Sequence, residues 1–135
     1  MGVRFINTLG GAVLFSVFTL VSNSAYSDEK ITPILIQKLD GLNNLEARIA
    51  LVEADPGWAT ERHIHPGHVF VYVLEGSVEL DVEGQDTVKL GVGGAAYELP
   101  NKPMIGRNAS STEGARLLVF QVGEIGQEMT IPKPE

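Results

Sequence analysis

The chain contains no cysteine. Its absence excludes thiol catalysis, thiolate metal sites, iron–sulfur clusters and disulfide staples. Basic residues are few. Ten Lys and Arg stand against seventeen Asp and Glu, a formal net charge of −7. So acidic a surface argues against nucleic acid or anionic membrane as a partner. There is no internal repeat, no low-complexity segment and no ten-residue stretch with helical periodicity. A nucleophile elbow, a phosphate loop and a zincin motif are also missing.

A long apolar run lies near the start. Arg4 precedes an apolar stretch from Phe5 to Val21, and Ser22 to Ser27 is small and polar. Ala25-Tyr26-Ser27 fits the small-x-small cleavage pattern, so residues 1–27 are expected to be a secretory signal peptide. The run is short for a full membrane span. The mature chain, 28–135, is then one domain, periplasmic or secreted, that meets a membrane only transiently through its signal. Only Arg4 among the charged residues falls in the removed segment, so nine basic residues remain against seventeen acidic and the charge becomes −8. With no disulfide in an oxidising compartment, stability must come from packing and strand pairing.

What remains is a series of short β-like runs separated by Gly, Asp, Asn and Pro. The runs are Ile34–Leu39, Ala47–Ala54, Trp58–His65, Val69–Leu74, Ser77–Val82, Thr87–Leu90, Ala95–Leu99, Ile105–Asn108 and Arg116–Val122. Strands recurring about every ten residues with turn signals between them predict an all-β sandwich or small barrel. The tail from Gly123 is polar and contains Pro. It is expected to order only where it packs back on the barrel.

Alternation assigns faces. Ala59, Glu61, His63 and His65 share one face of their run, so the two imidazoles can converge on one point, as a transition-metal site requires. Val69, Val71 and Val73 share a face, with Phe70, Tyr72 and Leu74 opposite. A strand apolar on both sides is covered on both sides, by the barrel lumen and by a second sheet or a partner subunit. Such a strand is consistent with a homodimer.

The stretch from Gly57 to Gly76 resembles the first motif of the cupin family: Gly, five residues, His-x-His, three or four residues, Glu, six residues, Gly. Gly57, His63, His65 and Gly76 fall at the matching offsets, and Val69 fills the Glu position. The second motif is Gly, five residues, Pro-x-Gly, two residues, His, three residues, Asn. Gly93, Asn101 (for Gly), Met104 (for His) and Asn108 align with it, and Leu99 takes the Pro position. Tyr97-Glu98 before Pro100 looks like a common cupin variant. The resemblance covers essentially all of residues 28–135.

It implies a jelly-roll β-barrel in which two histidines, a glutamate and a third histidine hold a divalent Fe, Mn, Ni, Cu or Zn. Only His63 and His65 carry over from that set. Met104 is a candidate third ligand, and a His–His–thioether set is soft enough to favour copper. The simpler reading, which is preferred, is a flexible core residue filling the space of a lost histidine. Glu61, on the histidine face, and His68, in the turn after Pro66-Gly67, are further candidate ligands. Their bland counterparts are a charged rim residue and a solvated loop histidine. Val69, Val71, Tyr97 and Glu98 are candidate pocket residues. Trp58, Phe70 and Tyr72 are expected in the core or at an interface, with the pocket as the alternative.

Three functions compete on this one fold. The first is a small-organic-ligand barrel with a degenerate metal site, which the residues favour. The second is a metal-dependent, dioxygenase-like enzyme. The third is a periplasmic copper-binding protein using His63, His65 and Met104.

Overall fold

Alternating apolar and polar residues build strands, and in this computed structural model, which describes residues 28–134, they build nothing else of regular form. The expected signal segment lies outside the described residues. In chain order the strands are β1 (Glu29–Lys38), β2 (Leu45–Ala54), β3 (His63–Ile64), β4 (His68–Glu75), β5 (Ser77–Val82), β6 (Val88–Gly91), β7 (Ala95–Glu98), β8 (Met104–Asn108), β9 (Ala115–Glu124) and β10 (Ile131–Pro132). They form two antiparallel five-stranded sheets, ordered β1-β2-β9-β4-β7 and β10-β3-β8-β5-β6. This is the all-β architecture that the spacing predicts, arranged as the jelly roll that the resemblance implies.

β4 shows how the pattern becomes packing. His68 to Glu75 reads H-V-F-V-Y-V-L-E, and its valines point inward while Phe70 and Tyr72 stay exposed. Val69, Val73 and Val78 are wholly buried. Each such side chain contributes about 1.5–3 kcal/mol of apolar transfer. Leu80, Leu117 and Trp58 extend the same core.

The run expected over Trp58–His65 is mostly irregular. Only His63–Ile64 is strand, with an isolated bridge between Ala59 and Arg107. The cause is Thr60. Its hydroxyl, rather than a main-chain carbonyl, accepts from Gly106 N at 3.0 Å, while Thr60 N still donates to the Gly106 carbonyl at 2.9 Å, so one of the two ladder bonds is replaced there. The polar tail does pack back, and further than expected: β10 pairs with β3 and so roofs the histidines.

Asn108, the last residue of the second motif, is structural. Its side-chain amide donates to the carbonyls of Asp55 (3.0 Å) and Glu113 (2.8 Å), and its oxygen accepts from Ser110 N (2.9 Å). It is buried. Asn108→Ala strands these groups, and about 2–4 kcal/mol of destabilisation is expected in urea titration, since each orphaned buried group costs about 1–3 kcal/mol.

Candidate functional site

A cavity of about 510 Å³ lies between the sheets, and it gathers most of the chemistry-bearing side chains. His63 comes from β3 and His65 from just beyond it; both are buried. The His63 Nδ1–H donates to the carbonyl of Glu61 at 2.8 Å, and the His65 Nδ1–H donates to the carbonyl of Met129 at 2.6 Å. Each ring is thereby fixed in orientation and tautomer, and each turns Nε2 into the cavity. The two Nε2 atoms stand 3.2 Å apart. The rings meet edge-on, at 83° between planes.

A carboxylate completes the group. Glu98 ends β7, is 4% exposed, and places Oε2 3.2 Å from His65 Nε2. In the β4–β7 ladder its direct partner is Val69. Directly paired residues share a face. The position where the family motif has Glu is thus filled by Val69, while a carboxylate arrives from across the strand pair. Met104 opens β8 opposite His63, is buried and lines the cavity.

Burial lowers the pKa of His63, and this outweighs the pull of the Glu61 carbonyl, with the neighbouring His65 pushing the same way as burial. Burial lowers His65 too, but there the hydrogen bond and charge of Glu98 and the Met129 carbonyl prevail, so its pKa ends up raised.

The other sequence candidates fall elsewhere. Glu61 serves His63 through its backbone carbonyl, and its side chain is exposed at the cavity mouth. His68 is not in the cavity. It faces out, stacks on Tyr97 at 5.9 Å between ring centroids and is 2.5 Å from the Tyr97 hydroxyl through Nδ1. Strict alternation from Val69 inward forces this, so its candidacy as a ligand is withdrawn. Tyr97, beside inward Glu98, faces out for the same reason and lines no part of the lumen. Val71 lines the cavity, and Val69 lies in the core behind it. Among the described residues, no three His, Asp or Glu side chains already close round one point.

Two features escape the sequence. The Met129 carbonyl is backbone, so no residue type announces it. It also accepts from Gln121 Nε2 at 3.2 Å, which ties the tail to β9. The inward aim of Glu98 depends on the β4–β7 register. The cavity wall is also one-sided in charge. Asp28, Glu29, Glu61 and Glu98 line it, and no Lys or Arg does among the described residues. Burial and the adjacent Asp28 raise the pKa of Glu29.

The profile of the family described as Cupin domain matches residues 50–121. No curated protein sequence matches the chain. Among solved structures, the chain resembles the DMSP lyase DddQ from Ruegeria pomeroyi at 21% identity and TM-score 0.57, covering 64% of this chain and 42% of that one. A cupin-like protein from Thermotoga maritima aligns at 20% identity and TM-score 0.57, over 73% of this chain and 77% of that one. Oxalate decarboxylase from Bacillus subtilis aligns at 20% identity and TM-score 0.52, over 66% and 28%. The chain thus spans less than half the length of the DMSP lyase or the decarboxylase. At these identities the likeness shows the fold.

Proposed function

Since the chain belongs to the cupin family, we propose that it is a small-ligand-binding barrel carrying a divalent transition metal on His63, His65 and Glu98. One observation carries the proposal: two buried imidazoles, each tied through Nδ1–H to a carbonyl, turn their Nε2 atoms toward each other at 3.2 Å. Two nitrogens about 2.1 Å from a shared ion, subtending about 100°, lie about 3.2 Å apart. Two lone pairs at that separation repel unless a cation or a proton lies between them. The buried Glu98 carboxylate and the acidic wall favour the cation.

Two imidazoles and a carboxylate suit Fe, Mn, Ni, Cu or Zn and leave positions open for a ligand. When bound, such an ion would polarise and orient an oxygen-bearing group. The protein's own part is to fix the two rings, exclude water with the β10 tail, and hold the apolar body of the ligand against Trp58, Val71, Val78 and Leu80. Metal-dependent, dioxygenase-like catalysis is a further step on this reading. Export through residues 1–27 belongs to it too. N-terminal sequencing of the exported protein is expected to begin at Asp28.

A carboxylate swap tests the ligand assignment. Glu98→Val is expected to lose metal. Val69→Glu/Glu98→Val returns the carboxylate from the facing strand and is expected to recover binding to within about tenfold, the lower end of the cost of disturbing a metal site's surroundings. A double variant no better than Glu98→Val would sink the assignment.

A second proposal has one observation of its own. Met104 sits directly opposite His63 in the β3–β8 pair and lines the cavity. A thioether there favours Cu(I). Met104→Leu is then expected to lose copper and keep zinc. Retention of both metals would reduce Met104 to a space-filler.

A further inference from the structure

The cavity that holds the histidines opens through an acidic mouth. Asp28 just before β1, Glu29 at its start and Glu61 ahead of β3 line it and are exposed. Alternation along the chain sorts the charges. Glu29 faces Ala54 in the β1–β2 pair, and Ala54 is buried in the core. Directly paired residues share a face, so Glu29 points to the cavity side. Its neighbour Lys30 takes the other face, where it meets Glu53 at 3.3 Å. Glu61 stands in the same relation to Arg62, which turns away to Glu83 and donates to the Lys133 carbonyl at 2.7 Å. The acids are turned in and the bases out. Asp28, Glu29 and Glu61 enter no ion pair among the described residues. Cleavage after Ser27 would leave an ammonium on Asp28, but that nitrogen lies 3.2 Å from Oδ2 of Asp55, which neutralises it outside the cavity lining.

The rest of the wall says which kind of cation would fit. Apart from the two imidazoles, the lining holds one aromatic ring, that of Trp58, which is 8% exposed. Its backbone is pinned on both sides, since Trp58 N donates to the Asp55 carbonyl at 3.1 Å and its own carbonyl accepts from Asn108 N at 2.8 Å. Its indole N–H makes no hydrogen bond among the described residues, so both the ring and its polar edge are open to a ligand. An indole attracts ammonium groups more strongly than the other side-chain rings do, and most where water is excluded. Ile31 and Pro132 carry apolar surface out to the mouth itself. A hydrated metal ion gains nothing from that surface, whereas an alkylated ammonium buries its methyl or methylene groups there.

We propose that the cavity's ligand is a small organic cation, an alkylammonium held by the acidic mouth and the Trp58 ring, with its oxygen-bearing end toward His63, His65 and Glu98. This rests on the reading of the cavity as a small-ligand site and adds the ligand's charge. An anion would meet three carboxylates on entry and no Lys or Arg of the lining among the described residues.

Choline tests this beside two probes of the same shape, neutral 3,3-dimethylbutan-1-ol and anionic 3,3-dimethylbutanoate. Trp58 is the only tryptophan of the chain, so its fluorescence reads occupancy of the cavity directly, and calorimetry gives the affinities. With metal content measured on the same samples, choline is expected to bind at least about tenfold more tightly than the alcohol, within the worth of a desolvated cation–ring contact. The anion should bind more weakly than the alcohol. The preference should shrink in about 1 M salt, where the exposed carboxylates are screened. Glu29→Gln/Glu61→Gln should reduce it to within about threefold, the share of an aromatic contact alone. Asp86→Asn/Glu113→Gln removes the same charge from exposed positions outside the cavity and should keep the preference. Alcohol and choline binding equally would overturn the proposal and leave the small-ligand reading standing. A preference lost equally in both double variants would also overturn it, by tracing the effect to net charge. Failure of all three probes to bind the metal-loaded protein would overturn both.

Discussion

Glu98→Gln is expected to weaken binding of manganese, iron or zinc by more than about 100-fold, beyond the 10–100-fold that loss of an outer partner costs. The change keeps size and shape and removes the charge. Its side-chain amide can still hydrogen-bond His65 Nε2, so the fold without metal should survive, and the melting temperature without metal should move little. Glu61→Gln is the control. It has a carboxylate on the same cavity, but an exposed one, and should bind metal almost as the wild type does. His68→Ala, on the outer face, should change nothing. Calorimetric titration with each metal reads all three. Equal losses for Glu61→Gln and Glu98→Gln would mean that the acidic wall attracts cations diffusely and that Glu98 holds none.

Gly76→Ala is expected to cost about 3–4 kcal/mol, among the larger single-residue effects. Gly76 has φ +72°, and a Cβ there would lie 2.5 Å from the carbonyl oxygen of Gly114 and 3.0 Å from Ala115 Cα. The left-handed backbone alone costs a non-glycine about 1–2 kcal/mol. The rest is steric, because backbone at the start of β9 has to shift. Gly84 separates the two causes. Its φ is +79°, and a Cβ would meet nothing within 4 Å. Gly84→Ala should therefore show only the conformational part, about 1–2 kcal/mol. Urea unfolding of both variants checks this. Equal losses would show that crowding at Gly114 contributes nothing.

Gly76 also shows what a sequence makes legible. Its motif offset is visible, while the reason for it, a close approach to β9, belongs to tertiary structure. The same division runs through the site. His63 and His65 converge because side chains two apart share a face, and that rule survives even where the strand is only two residues long. Val69 and Val71 point inward by the same rule. Tyr97 and Glu98 are adjacent, so one had to face in and the other out. Nothing local says which, since register against β4 decides it. Asn101, standing for a motif glycine, adopts φ +58°, which asparagine tolerates better than most residues. The closing role of the tail is least legible, because it works through the Met129 carbonyl and through β10, which lies about seventy residues from the strand it pairs with.

A metal held between the His63 and His65 imidazoles is the central prediction. Its most direct test is the metal content of the exported protein, purified without an affinity tag and measured by mass spectrometry beside His63→Ala/His65→Ala. Near-stoichiometric transition metal in the wild type, lost in the double variant, is the predicted result. Trace metal, equal in both, would contradict it and leave His65 and Glu98 as a buried, proton-bridged pair in an organic-ligand pocket.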